Sequence, residues 1–275
     1  MNQCSIRNGI LGLFIMTISY SIDASQHDFV AVTTAHQAKP YFERANETSL
    51  ILFDVDSTLT TPSDPYLRRH AIQQHKTIYK DLISPLSPNQ HRIFNHLLVI
   101  QSPSQLLDKD WPAVIKNIQK KKSKTLAMTS AKTGPIDSIL SSFPQWRFQE
   151  LKRFGIDFSK TFPGSILFKN LNDFGGEHPG MEKGIIYCGH QSQKGDLLQD
   201  VLKELQFTPK MIIFVDDKMD NLTSLSEAIK TILPDTNFVG IHYKGMDILP
   251  DKPANADIFK EKFTTLVTLT KRVSH

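Results

Sequence analysis

Hydrophobic positions in this chain fall in short continuous blocks, several of which end on acidic or hydroxyl side chains. Leu50-Ile51-Leu52-Phe53 runs into Asp54-Val55-Asp56, and Met211-Ile212-Ile213-Phe214-Val215 runs into Asp216-Asp217. Residues 124–129 form a third block that ends on Thr129-Ser130. Blocks of this length with no helical period predict strands buried on both faces, as in a parallel sheet. Residues 29–33 and 237–241 predict two more strands. Residues 166–168 and 184–188 are strand-like and flank a Gly/Asn/Pro-rich stretch, so a long hairpin is expected over 163–190.

Between the strands the period changes. Residues 65–82 and 88–100 carry helical spacing, and Pro112 sits where a first-turn proline opens a helix to 122. Leu197, Leu198, Val201, Leu202 and Leu205 share one face of a helix opened by Lys194-Gly195. Further helices are expected over 145–158 (ending near Gly155), 221–232 and 256–272, and a polar helix interrupted by Pro40 over 35–47. Strands alternating with helices predict an α/β fold: a Rossmann-like parallel sheet flanked by helices, joined by right-handed crossovers. There is no internal repeat and no long linker.

The first 25 residues follow another logic. Arg7 precedes an apolar stretch over 9–20, and the small residues Ser19, Ser21, Ala24 and Ser25 follow. Charged, then apolar, then small is the order of a signal peptide, and the stretch is too short for a stable bilayer span. Residues 1–25 are therefore expected to be removed on export to the periplasm or beyond. Residues 26–275 would remain, with no membrane span; without cleavage the chain is expected to be cytoplasmic. Removal would take Cys4 and leave Cys188 with no internal disulfide partner. Two cysteines exclude a disulfide scaffold and a four-cysteine zinc site.

Charge narrows the partners. With 32 basic and 28 acidic residues the net charge is only +4 over 275 residues. The densest basic run, Lys120, Lys121, Lys122 and Lys124, reads as the solvated end of a helix, so nucleic acid is not an expected partner. His70 and His75, like His91 and His96, are five apart, which does not place two ligands on one helix face. They are expected to be solvated or core side chains. His178 and His190 lie in the turn-rich stretch without a motif.

The chemistry gathers at the strand tips. Open α/β sheets bind ligands outside the carboxyl ends of their strands. Asp54/Asp56, Thr129/Ser130 and Asp216/Asp217 all fall there. Carboxylates brought together are costly unless a cation sits among them, and hard oxygen donors favour Mg²⁺.

Asp54-Val55-Asp56-Ser57-Thr58-Leu59 matches the D-x-D-x-T-L signature of the haloacid dehalogenase-like (HAD) superfamily. Thr129 after its strand, Lys194 opening its helix and Asp216-Asp217-Lys218-Met219-Asp220-Asn221 follow in that superfamily's order. The chain resembles the superfamily over about residues 48–245. Met128 to Lys132, Gly155 to Phe158 and His242-Tyr243 make it similar to a bacterial HAD-like family of exported proteins, with Lys132 where an arginine is usual.

The resemblance implies the HAD fold and a Mg²⁺-dependent phosphohydrolase acting on a small phosphomonoester. It implies Asp54 as nucleophile, forming an aspartyl-phosphate, and Asp56 as acid and base, with its backbone carbonyl on the metal. Thr129 would donate to a phosphoryl oxygen, and Lys194 would neutralise charge on the phosphoryl group and Asp54. Asp216 would complete the metal shell, with Asp217 or Asp220 behind it. The long separations between motifs imply inserts: a helical cap over 61–110 and a hairpin over 163–190, where substrate identity would reside. A phosphomutase would use the same residues. The non-catalytic alternative is an exported protein that keeps the scaffold to bind a host or partner protein.

Overall fold

The computed structural model describes residues 26–136, 139–172, 177–189, 192–249 and 255–274. The predicted signal peptide and His190 lie outside them. The elements run β1 (His27–Val32), α1 (Ala35–Ala38), β2 (Ser49–Phe53), β3 (Thr60–Pro62), α2 (Arg69–Gln74), α3 (Lys76–Ile83), α4 (Pro88–Ile100), β4 (Ser104–Leu106), α5 (Trp111–Lys120) and β5 (Lys124–Thr129). They continue as α6 (Phe143–Arg153), β6 (Ser165–Leu167), β7 (Gly180–Glu182), β8 (Ile185–Tyr187), α7 (Leu198–Glu204), β9 (Met211–Asp216), α8 (Met219–Ile232), β10 (Asn237–Tyr243) and α9 (Ala256–Val273).

Eight strands form one sheet in the order β1-β10-β9-β2-β5-β8-β7-β6. From β1 to β8 each neighbouring pair is parallel; β7 and β6 are antiparallel additions. The fold is thus α/β, with a mostly parallel sheet flanked by helices. Alternation along β2 explains the two covering layers. Ile51 and Phe53 face a core shared with α1, α5 and α6, while Leu50 and Leu52 face a core shared with α7 and α8. All four side chains are fully buried, which is why the strand reads as an unbroken apolar run.

The chain steps from β2 outward through β5 to β8, then returns to the other side of β2 with β9 and β10. The order therefore reverses between β2 and β9, the place where an open sheet leaves a crevice at its strand tips.

Residues 61–110 leave the sheet and come back to it. Their two ends pair as the antiparallel ribbon β3–β4, and α2, α3 and α4 lie between. The helix expected over 65–82 is broken: a 3-10 turn at Pro65–Leu67, capped by Asp64, precedes α2. Arg68 holds an extended conformation at the break, and its buried guanidinium donates to the carbonyls of Pro62 and Ser63. α4 opens as its sequence directs, with Ser87 and Gln90 forming a capping box around Pro88.

This insert has its own core. Leu67, Ala71, Ile93, Phe94 and Leu97 pack with Phe259, Phe263, Leu266 and Val267 of α9. The last helix therefore covers the insert, not the sheet. The strands expected as a hairpin over 163–190 extend the main sheet: β8 pairs with β5, and β7 and β6 continue outward. No described helix is long and apolar enough to cross a membrane.

Candidate functional site

β2 and β9 run in register, Phe53 beside Val215, and the Asp54 amide donates to the Val215 carbonyl at 2.8 Å. Asp54 and Asp216 consequently sit side by side at the reversal of the sheet order. Lys194, in the 3-10 turn before α7, reaches between them. Its Nζ donates to Asp54 Oδ1 at 2.5 Å, Asp216 Oδ2 at 2.6 Å and the Met128 carbonyl at 2.7 Å. These contacts use all three donors of an ammonium group that is almost wholly buried. Gly195 lets this turn lie against α8, because a Cβ there would strike the Ser224 carbonyl. Asp216 is further held by the Lys218 amide at 2.8 Å and by the Asn221 amide, 3.0 Å from both carboxylate oxygens.

Asp217 joins the same cluster. One carboxylate oxygen each from Asp54, Asp216 and Asp217 lies within 4.8 Å of the other two. Arg69 of α2 reaches down from the insert to Asp217 Oδ2 at 2.5 Å. Burial pushes the Asp54 carboxyl up to about 8, with repulsion from Asp216, Asp217 and Asp56 adding to it and Lys194 opposing. Burial and Asp216 likewise raise Asp217, against the pull of Arg69. Burial works against the Lys194 charge, but Asp216 and Asp54 outweigh it and hold the ammonium above its ordinary range. One lysine shared by two carboxylates keeps its own proton and shields each only in part. Three hard oxygen donors with excess negative charge fit a divalent cation such as Mg²⁺.

Asp56 stands apart from this trio. After Val55 the chain folds back, with the Leu59 and Thr60 amides both donating to the Val55 carbonyl at 2.9 Å and Ser57 at φ +69°. The Asp56 carboxylate, 45% exposed, accepts from Arg147 at 2.7 Å and from the buried Thr129 hydroxyl at 3.2 Å. Thr129 thus spends its proton on Asp56. Asp220 lies exposed in the first turn of α8, outside the carboxylate trio.

Five site residues have no role assigned from the sequence: Arg147, Glu150, Ser104, Asn221 and Arg69. Arg147 is fully buried against the rings of Phe143 and Trp146, and it bridges Asp56, at 2.7 Å, to Glu150, at 2.5 Å. Ser104 of β4 donates to the other Glu150 oxygen, which ties the insert's stem to Asp56. The signal was an arginine set among aromatics, Phe143, Trp146 and Phe148. Asn221 closes the motif that begins at Asp216, whereas Arg69 has no local signal because only the insert's path brings it here. Of the histidines, His96 is buried against Phe143, His70 pairs with Asp247 at 3.6 Å, and His178 contacts the Leu171 carbonyl.

Two cavities flank the cluster. One, of about 180 Å³, lies between the β3–β4 ribbon and the insert and includes Asp56, Ser57 and Arg69 in its lining. The other, of about 330 Å³, is polar and bordered by Arg69, His70, Asp217, His242 and Lys244.

Comparison with known proteins places these residues in a family. A protein of Rickettsia bellii is 28% identical over 232 residues, covering 81% of this chain and 77% of the relative. One of Rickettsia conorii is 26% identical over 263 residues, covering 90% and 84%. One of Rickettsia felis is 26% identical over 212 residues, covering 72% and 71%. All three are described as uncharacterized proteins. No solved structure matches the chain. The family model described as protein of unknown function (DUF2608) matches residues 31–271, from β1 through the carboxylate cluster and into α9, and the chain belongs to that family.

Proposed function

We propose that this chain is a Mg²⁺-dependent phosphohydrolase of the HAD superfamily that acts on a small phosphomonoester through an aspartyl-phosphate on Asp54. The observation that carries this reading is the Lys194 ammonium bridging Asp54 and Asp216, with Asp217 beside them, at the reversal of the sheet order. Such a cluster gathers charge where an anionic group has to be held, and no packing demand of the sheet calls for it.

Asp54, Asp216 and Asp217 would hold Mg²⁺, which supplies positive charge against the phosphoryl oxygens and the nucleophile. Asp54 attacks phosphorus, and the bond from phosphorus to the leaving oxygen breaks. Asp56, two residues beyond Asp54 at the turn after β2, would in its protonated form give its proton to that oxygen as the alcohol departs. The resulting Asp56 carboxylate then takes a proton from water as the water attacks the aspartyl-phosphate. The Asp54–phosphorus bond breaks, releasing phosphate and restoring both aspartates. Lys194 fixes the Asp54 carboxylate and shields its charge. Arg147 and Thr129 fix Asp56 within reach of the leaving oxygen.

The test is p-nitrophenyl phosphate hydrolysis by metal-free protein, with and without added Mg²⁺. Turnover is expected only with Mg²⁺, and Asp54→Asn is expected to lower kcat by at least about 10³-fold, the scale on which loss of a nucleophile is felt. Metal-independent turnover, or full activity in the variant, would sink the proposal.

A further inference from the structure

On the phosphohydrolase reading, we infer that the leaving alcohol of the substrate is compact and apolar and is seated in the cavity between the β3–β4 ribbon and the helical insert. The oxygen that leaves phosphorus has to lie at Asp56, so the group attached to it occupies the space that Asp56 borders. That space is the cavity of about 180 Å³. An apolar cavity of roughly 150 Å³ is large enough to hold benzene.

The lining sets the chemistry. Pro62, Leu67, Ile72, Leu98 and Val99 supply hydrocarbon. The charged groups on the lining are already engaged elsewhere: Arg69 with Asp217, and Asp56 with Arg147 and Thr129. The Ser104 hydroxyl is committed to Glu150. No uncommitted cation is left on this lining to hold a second phosphate or a carboxylate, and a polyol would give up water for few partners. Three hydroxyl side chains, Ser57, Thr60 and Thr61, complete the lining. The Thr61 hydroxyl is buried and has no hydrogen-bond partner among the described residues. Neutral hydroxyls on a mainly aliphatic wall suit an apolar group carrying few polar atoms and no charge. The second cavity has the opposite character, with His70, His242 and Lys244, and it borders Asp217 instead of Asp56.

The test compares kcat/KM of the full chain, with Mg²⁺, for benzyl phosphate and glycerol 3-phosphate, both esters of primary alcohols. Benzyl phosphate is expected to be preferred by about tenfold or more through KM, the scale on which apolar pockets discriminate. Leu98→Asn is expected to lower that ratio by about fivefold or more. Val99→Thr, which keeps the wall's shape and adds a hydroxyl, covers the case in which Leu98→Asn does not fold. Equal use of the two esters, an unchanged ratio in Val99→Thr, or a preference for fructose 1,6-bisphosphate would overturn the inference. If p-nitrophenyl phosphate is not hydrolysed with Mg²⁺, the phosphohydrolase reading fails, and this inference with it. If it is hydrolysed and neither ester is, calorimetric titration of both esters decides: tighter binding of benzyl phosphate supports the inference, and equal or absent binding overturns it.

Discussion

Asp54 carries the sharpest conflict at the residue scale. It is buried beside two other aspartates and, among the described residues, shares its one ammonium partner with Asp216. A carboxyl raised from 3.8 to about 8 in the folded protein holds a proton that the unfolded chain has already lost across that interval. The folded state then binds more protons than the unfolded one, so metal-free stability declines as pH rises through the window. Asp54→Asn removes the group responsible. In urea unfolding of chelator-treated protein, the variant is expected to overtake wild type progressively between roughly pH 4 and pH 8. A constant difference across that range would show that Lys194 satisfies Asp54 fully. The carboxylates themselves were legible, because a strand tip and a motif name them. Arg147 was legible only in part: its aromatic neighbours Phe143 and Trp146 are a local signal, but nothing in them names Asp56, 91 residues away, as its partner.

Elements were legible in proportion to how far their own sequence decides them. β2, β5 and β9 are apolar runs that tolerate no helical reading, and their acidic or hydroxyl ends fixed the position of the site. β8 is only three residues long, and nothing in Ile185-Ile186-Tyr187 says that its partner is β5. The destination of α9 was hidden for a similar reason. Its apolar face meets α3 and α4, more than 150 residues earlier in the chain, and an amphipathic helix does not announce its partner. Phe263 stacks on Phe259 at 4.2 Å and meets Tyr79 and Phe94 of the insert. Phe263→Ala is expected to cost about 3–5 kcal/mol, since it empties the centre of that cluster. Because Arg69 rides on the same insert, kcat for p-nitrophenyl phosphate is expected to fall as well. Chemical denaturation and steady-state rates on one preparation check both effects. A lower denaturation midpoint with unaltered kcat would mean that the insert's position does not matter to the site.

At the scale of the whole molecule, the carboxylate cluster joins the sheet to the insert, because Asp217 lies at the tip of β9 and is gripped by Arg69 of α2. A cation held by Asp54, Asp216 and Asp217 would bind only where β2 and β9 are paired, so its binding free energy adds to the folded state. At about 100 times its Kd such a ligand stabilises by about 2.7 kcal/mol. For a chain of this size that corresponds to a rise in Tm of about 5–10 °C. Magnesium titration followed by thermal unfolding is expected to show this rise in wild type. Asp216→Asn and Asp217→Asn should abolish it. Asp220→Asn should retain it, because Asp220 is exposed on α8 and its carboxylate is not among the gathered oxygens. The comparison separates two acidic residues that the sequence left competing for one role. If Asp220→Asn loses the shift and Asp217→Asn keeps it, Asp217 serves only to anchor Arg69, and the cation sits further toward α8.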